Sequence, residues 1–385
     1  MGCFVRLRRF AGRLPLPMRL DELDYLLPRE QIAQRPLDRR EASRLLVQDR
    51  SSGKLEDRLF VELPSLLRGD ELLVLNNARV IPARLFGRRA GVPSPTQRSE
   101  QLTGKVEVFL TREVDSGTWE VLVRPGRKIQ VGERILFGEG ELEAEVLSRG
   151  QLGLRTLHFI ARDQNNISQH FERLGHVPLP PYIERADEAS DRERYQTVFA
   201  KRPGAIAAPT AGLHFSTEIL KKIRARGVEI CELTLHVGLG TFQPIHGETL
   251  ESHVMHSESY EIPAETAERI QAAQNAGRPI LAIGTTVVRA LEDAALRAAE
   301  SGAAHLVLPG KAVARLFIVP GFRFRVVEGL LTNFHLPRST LLALVCAFAG
   351  RQQVLAAYQH AVNAGYRFYS YGDCSLVRSS GREVG

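Results

Sequence analysis

The chain runs to 385 residues, longer than a single core usually grows, and its 44% hydrophobic and 25% charged content is that of a folded globular protein of two domains. The longest strongly apolar run, Thr340 to Ala349, is too short to span a bilayer, and four scattered cysteines without a Cys-x-x-Cys pair argue against a zinc ribbon or a disulfide framework, which fits a reducing, cytoplasmic setting. The formal net charge of +7 resembles a nucleic-acid footprint, but residues 1–17 hold four arginines and no acid and leave only +3 for the rest, so charge alone is weak ground for an RNA or DNA partner.

In chain order, residues 1–17 are arginine-rich and acid-poor like a transit peptide, yet lack a secretory apolar segment. They are expected to be a disordered extension from an upstream start codon. Residues 27–36 ("LPREQIAQRP") predict a short helix stopped by Pro36, and 71–87 ("ELLVLNNARVIPARLFG") predict two strands around an Asn76–Asn77 turn. From Gly104 to Ile160 the texture changes to short alternating runs with turn residues every 8 to 12 positions, the rhythm of a small antiparallel barrel or sandwich. The expected architecture is therefore a large α/β domain, barrel-like or a mixed sheet with surrounding helices, formed by 18–70 and 162–385. An inserted small antiparallel β-barrel occupies 71–161, with a loop at 91–104 inside it.

After Ile160, strands and helices alternate. Helices are predicted at 216–227, with Ser216 or Thr217 as N-cap and Gly227 as stop, and at 264–277, 284–302 and 340–349. Val228 to Leu235 predict a strand entering the loop "HVGLGTF", which is no dinucleotide fingerprint because Gln243-Pro244 follows where a helix should begin.

Two features carry chemistry. Five of the eleven histidines, His214, His236, His246, His253 and His256, lie between 214 and 256. The pair His253 and His256 with Glu258 close by invites zinc, but without a His-Glu-x-x-His helix or thiolates such histidines are more often hydrogen-bonding or acid/base groups. The second feature is four small-residue loops that each follow an apolar run, at 204–215, 235–242, 281–291 and 330–337. Ligands in α/β folds sit at the carboxyl ends of strands, so the four loops predict one concave site. Its candidate contacts are Thr210 and Gly212, then Gly238, Gly240 and Thr241, then Thr285 and Thr286, and finally Asn333 and His335. Thr285 and Thr286 open a helix and either hold an anion or serve as N-cap. Arg79 and Arg84, with Arg124, Arg127 and Lys128, are either a solvated basic face or phosphate contacts. Asp373, behind a glycine turn, is either a base acceptor or a turn residue.

Long ordered motifs then carry a resemblance: "NNARVIPARLFG", "LGHVPLPPYIER", "YQTVFAKRPGAIAAPTAGLHF", "TLHVGLGTFQP", "HVMHSE", "IGTTVVRALE", "LLTNFHLPRSTLLALVCAFAG" and "YRFYSYGDCSL". From about Arg19 to Leu376 the chain resembles the S-adenosylmethionine:tRNA ribosyltransferase-isomerases of queuosine biosynthesis. It departs from that pattern at Ala78, where Thr or Ser is usual, at Cys374-Ser375 and at Ser252. The resemblance implies transfer and isomerisation of the ribosyl part of S-adenosylmethionine onto 7-aminomethyl-7-deazaguanine at the wobble position of tRNAs with GUN anticodons. The products are epoxyqueuosine, adenine and methionine. It further implies no metal and no bound cofactor, S-adenosylmethionine being a co-substrate; the expected partner is tRNA, with no membrane, and the chain is expected to act as a monomer.

Such chemistry needs a base at the carbon beside the sulfonium, an acid near the leaving adenine, a carboxylate anchor and a shielded pocket. Proton transfer is expected of His214 and His236, with His253, His256 and Glu258 as a second acid/base or ribose-binding set. Thr285 and Thr286 are expected at the methionine carboxylate, Asn333 and His335 at the substrate's polar edges, and Asp373 at the modified base. Two other classes are weighed: a His-metal hydrolase lacks a compact ligand motif here, and a plain RNA-binding module leaves the four loops unexplained.

Overall fold

The computed structural model describes residues 18–92, 104–151, 153–163, 166–238, 250, 255 and 257–379. The expected extension at 1–17 and most of the loop at 91–104 lie outside the described residues. The strands are β1 (Arg44–Asp49), β2 (Leu55–Leu59), β3 (Leu72–Asn76), β4 (Ala78–Val80), β5 (Arg84–Gly91), β6 (Lys105–Asp115), β7 (Thr118–Arg124), β8 (Arg134–Phe137), β9 (Leu142–Arg149), β10 (Leu154–Ala161), β11 (Arg202–Ala205), β12 (Glu229–Leu235), β13 (Glu258–Ile262), β14 (Ile280–Ile283), β15 (Gly310–Ala314), β16 (Gly329–Asn333) and β17 (Cys374–Arg378). The helices are α1 (Leu63–Leu66), α2 (Ile167–Leu174), α3 (Asp191–Arg194), α4 (Thr217–Ala225), α5 (Ala264–Asn275), α6 (Thr285–Ser301), α7 (Thr340–Ala349) and α8 (Arg351–Asn363).

Among the described residues, nine strands make one mixed sheet in the order β15-β13-β12-β3-β14-β16-β17-β1-β2. At its centre β12, β3, β14 and β16 are parallel, with Cys231 opposite Val74, Val74 opposite Ala282 and Ala282 opposite Leu330. Strands buried on both faces need unbroken apolar runs, which is what Leu72–Leu75 and Ile280–Ile283 supply. Because side chains alternate, Leu72, Val74, Ile280 and Ala282 pack under α5, α6, α7 and α8, while Leu73, Leu75, Leu281 and Ile283 pack on Phe60 and α4. No single helix among the described residues is long and apolar enough to cross a membrane; the apolar α7 is a buried core helix.

The alternating runs close a separate six-stranded barrel, β10-β7-β6-β5-β8-β9, around Val106, Val108, Val121, Phe137 and Phe159. The insert was expected from residue 71, and the boundary needs correction. β3 lies in the middle of the large sheet, and the barrel strands run from Arg84 to Ala161. The difference is one of pattern: β3 is buried at every position, β6 only at alternate ones over its first half. The helix expected over 27–36 is also absent, apart from a 3-10 turn at Arg29–Gln31. Extended pairing takes its place, since the Phe368 amide donates to the Gln31 carbonyl at 2.8 Å and the Ala33 amide to the Phe368 carbonyl at 3.2 Å. The four helices predicted after Ile160 do form, the first capped by Ser216, whose hydroxyl accepts from the Ile219 amide at 3.3 Å.

The turn expected at Asn76–Asn77 does not form: Asn76 ends β3, Asn77 alone separates it from β4, and the pair serves as a clamp. The buried Asn76 amide donates to the Leu235 carbonyl at 3.0 Å and to Thr286 Oγ1 at 3.3 Å, and its oxygen accepts from the amides of Leu235 at 3.0 Å and Ala78 at 3.1 Å. Asn77 accepts from Thr234 Oγ1 at 2.7 Å, donates to Glu232 Oε2 at 3.0 Å, and takes the Lys201 amide on its own carbonyl at 2.7 Å. Three separate segments are thus tied to the end of β3. Truncation leaves buried backbone groups unmatched at about 1–3 kcal/mol each. Asn76→Ala is therefore expected to destabilise the protein by about 3 kcal/mol, read as a lowered midpoint in thermal or urea unfolding; an unchanged midpoint would show that the clamp contributes nothing.

Candidate active site

The parallel centre of the sheet brings the carboxyl ends of β12, β14 and β16 to one edge, and β11, paired in parallel with β4, delivers its following loop there too. Beyond that edge opens a cleft. Its wall takes residues from every one of the four loops singled out in the sequence: Thr210, then Val237, then Thr285 and Thr286, then Asn333 and His335. The convergence inferred from pattern is thus present in space.

The start of α6 is built by Gly284, whose φ of +96° favours glycine and whose amide donates to the Leu331 carbonyl at 2.8 Å. Gly284 itself occupies the N-cap position, so neither threonine is the cap. The first amides of any helix have no partner within it, and here they lie at the cleft, where the helix dipole favours an anion. Asn76 holds Thr286 from behind.

The buried imidazole of His214 lies on the 3-10 turn Thr210–His214, 5.3 Å from the Phe60 ring. Its Nδ1 is 2.7 Å from Ser43 Oγ, and Ser43 itself donates weakly to the Arg40 carbonyl at 3.4 Å. Nδ1 and Ser43 Oγ share this hydrogen bond, while Nε2 has no partner of good geometry. Burial lowers the pKa to about 4; the Asn333 amide opposes the shift, while Arg40 and Arg367 add to it. Asn333 lines the cleft, donates to the Tyr369 carbonyl at 2.9 Å and leaves its own buried oxygen without a donor. His335 is more tightly bound: Nε2 meets Thr332 Oγ1 at 2.8 Å, its amide donates to Tyr358 OH at 3.1 Å, and burial pulls its pKa to about 3.

Other expected residues stand elsewhere. His236 is outside the cleft lining and packs against Gly204, where an added Cβ would come within 3.0 Å of the ring; its Nδ1 has no partner, and burial lowers its pKa. Glu258 is buried with Arg289 on one oxygen and the Gly238 amide on the other at 3.1 Å, so it anchors the loop after β12. Asp373 accepts the amides of Arg44 and Arg367, each at 2.8 Å, which makes it a brace for its own turn; burial raises its pKa. Gly212 faces Phe199 and Thr197, where a Cβ would sit 2.7 Å from either, so it serves packing. Arg79 is exposed near Glu172 at 3.6 Å, Arg84 pairs with Glu107 at 2.6 Å, and Arg124, Arg127 and Lys128 are exposed on the barrel. Gly238 has open space where a Cβ would point. Gly240, Thr241, His253 and His256 lie outside the described residues. Among those described, no group of three or more His, Cys, Asp and Glu side chains could hold a metal ion.

Sequence reasoning passed over Ser43, Asn76, Tyr182, Tyr369 and Ser370. Tyr182 and Tyr369 stack at 4.3 Å on the cleft wall, and Tyr182 shares a hydrogen bond with Ser370. Tyr369 has a φ of +73°, a left-handed conformation that a bulky residue seldom adopts. The motifs "PPYIER" and "FYSYGDC" drew attention to both regions, but only as strings.

Comparison with known proteins adds an independent line. Residues 20–377 match the family described as "Queuosine biosynthesis protein". The S-adenosylmethionine:tRNA ribosyltransferase-isomerase of Solibacter usitatus is 52% identical over 368 residues, covering 94% of this chain and 100% of that protein. Its counterpart from Moorella thermoacetica is 48% identical over 360 residues, with the same coverage of 94% and 100%. The crystal structure of S-adenosylmethionine tRNA ribosyltransferase from Thermotoga maritima is 35% identical, covers 92% of this chain and 99% of that one, and superposes with a TM-score of 0.49.

The two buried imidazoles set a pH dependence. In the unfolded chain they take up protons near the ordinary value of 6.5, while the folded protein refuses them down to about 4 and about 3. Their share of stability is therefore complete above about pH 6.5 and is lost as pH falls toward 4. His335→Gln should flatten the decline of melting temperature across that window; an unchanged slope would mean that His335 is not held neutral.

Proposed function

We propose that this chain, which belongs to the queuosine biosynthesis protein family, moves and isomerises the ribosyl part of S-adenosylmethionine onto 7-aminomethyl-7-deazaguanine at the wobble position of GUN-anticodon tRNAs. It is an enzyme, a transferase of the ribosyltransferase-isomerase class. The observation that carries the finer reading is the single cleft made by four strand-end loops, with a helix start on its wall and the buried His214 in the chamber that adjoins it.

The reaction starts with loss of a proton from the 5′ carbon beside the sulfonium. His214 is the base in this reading: burial keeps its ring unprotonated and Ser43 orients it through Nδ1. Once loaded, Nε2–H can be stabilised by the Asn333 oxygen that otherwise lacks a donor. Adenine then leaves as the ribosyl fragment becomes electrophilic. The aminomethyl nitrogen attacks that fragment, and closure of the epoxide expels methionine. The methionine carboxylate belongs at the amides of Thr285 and Thr286, where the dipole of α6 favours it. A flat ring matches the wall of Tyr182 and Tyr369 beside Thr210. A flipped-out wobble base reaches such a recess from a single-stranded anticodon loop.

The direct test incubates the protein with S-adenosylmethionine and tRNA bearing the aminomethyl base and measures adenine and methionine. Equal release of both with that tRNA, and none with unmodified tRNA, is expected; no release would refute the reading. His214→Asn should cut adenine release by roughly 100-fold or more while S-adenosylmethionine still binds, and near-normal release would remove His214 from the mechanism. Gly284→Val, which strains the helix start, should raise KM for S-adenosylmethionine roughly 10-fold, the scale of an anion at a helix dipole; an unchanged KM would place the carboxylate elsewhere.

A further inference from the structure

A second, smaller chamber adjoins the cleft and shares Ser370 with it. His214 forms part of its wall with Ser43 behind, and Arg40 and Arg194 stand on it as well. Both guanidiniums are held in place by carbonyls. Arg40 donates to Leu213 at 3.2 Å and Glu193 at 2.9 Å, and Arg194 to Asp38 at 2.9 Å and Leu37 at 2.5 Å. A guanidinium has five N–H donors, so each keeps several to spend, and Arg194 Nε is buried with no acceptor.

The charges here are uncancelled. Neither arginine forms an ion pair among the described residues, and the carboxylate of Asp191, which Tyr371 on the chamber wall touches at 2.8 Å, is already matched by Arg185 at 2.6 Å. Glu193 acts on Arg40 only at longer range, while Arg194 repels it. Two half-buried like charges side by side on one wall are poised for an anion, and the buried Arg194 Nε–H still lacks an acceptor. S-adenosylmethionine offers one carboxylate, which the start of α6 already accommodates. The other substrate carries one phosphate per nucleotide.

We infer that this chamber is a phosphodiester site, in which Arg40 and Arg194 clamp the RNA backbone next to the nucleotide whose base enters the main cleft. It rests on the tRNA reading above and adds the place where the backbone is held. The two compartments then divide the substrates, with Ser370 shared between them.

The test measures tRNA binding to the full chain by filter retention over a range of salt, together with S-adenosylmethionine binding by calorimetry. Arg40→Gln and Arg194→Gln should each weaken tRNA binding several-fold and make the slope of log affinity against log salt shallower by about 0.7, the value for one phosphate contact on a single strand. S-adenosylmethionine affinity should stay unchanged. Arg40→Lys keeps the charge and should keep the slope; if it loses as much as Arg40→Gln, the role of Arg40 is to hold Leu213, and the inference falls. Unmoved affinity and slope in both glutamine variants would also overturn it. So would saturable binding of inorganic phosphate that needs both arginines while tRNA affinity stays put, which would mark a small-anion site. If the wild type releases no adenine but the slopes shift as stated, the proposed reaction fails and the phosphodiester site stands. Normal release with unmoved slopes would leave the reaction standing and refute the phosphodiester site.

Discussion

The structure hangs on the hydrogen bonds of two adjacent asparagines. Asn76 satisfies both backbone groups of Leu235 and holds Thr286, and Asn77 binds Thr234, Glu232 and the Lys201 amide. Strand ends are ordinarily the frayed part of a parallel sheet, because the last amides have no ladder to join. Here side-chain amides continue the ladder past the end of β3 and fix the exits of β12 and the entry to β11. Every loop of the cleft except the one after β16 is therefore referenced to a single dipeptide. Precise chemistry on loops requires such a support, since a site built on mobile connections cannot hold its groups in position.

Electrostatic control in the cleft comes from exclusion of water more than from charge pairing. His214 and His335 sit on the same edge of the sheet, both driven to low pKa by burial, yet they differ in what remains open. His335 has Nε2 committed to Thr332, whereas His214 commits only Nδ1 and keeps Nε2 bare. One is a strut and the other keeps a ring nitrogen unspent, although residue type and burial are the same. Glu258 and Asp373 repeat the lesson for carboxylates: each spends both oxygens on amides or a guanidinium and so shapes a loop instead of moving a proton.

Much of this was legible in the chain itself. The unbroken apolar runs of β3 and β14, the alternation in the barrel and the helix after Ser216 are local signals, and each reads correctly because its environment obeys its period. The convergence of four loops was also readable, since parallel strands put their carboxyl ends together. What escaped depended on partners distant in sequence. The segment after Pro28 has helical composition but pairs with Phe368, and Ser43 acquires meaning only when β1 lies beside β17 and brings it to His214. Gly212 looked like a substrate contact because a glycine in a loop reads the same whether it faces a ligand or a phenylalanine ring.

The pairing of β1 with β17 has a consequence for the order in which the molecule assembles. Leu45 lies opposite Cys374, so the large sheet cannot be completed until the last strand has been synthesised. The barrel, by contrast, joins strands that follow one another closely, and all of it has been made before β11 appears. Nearby contacts close quickly and distant ones slowly. During synthesis the barrel is thus free to fold as an autonomous unit while β3, buried on both faces, waits for β12 and β14, and β1 has only β2 beside it. That waiting interval is when the chain is most exposed to aggregation, and the sheet is completed only by the strand that follows Tyr369 and Ser370 of the cleft wall.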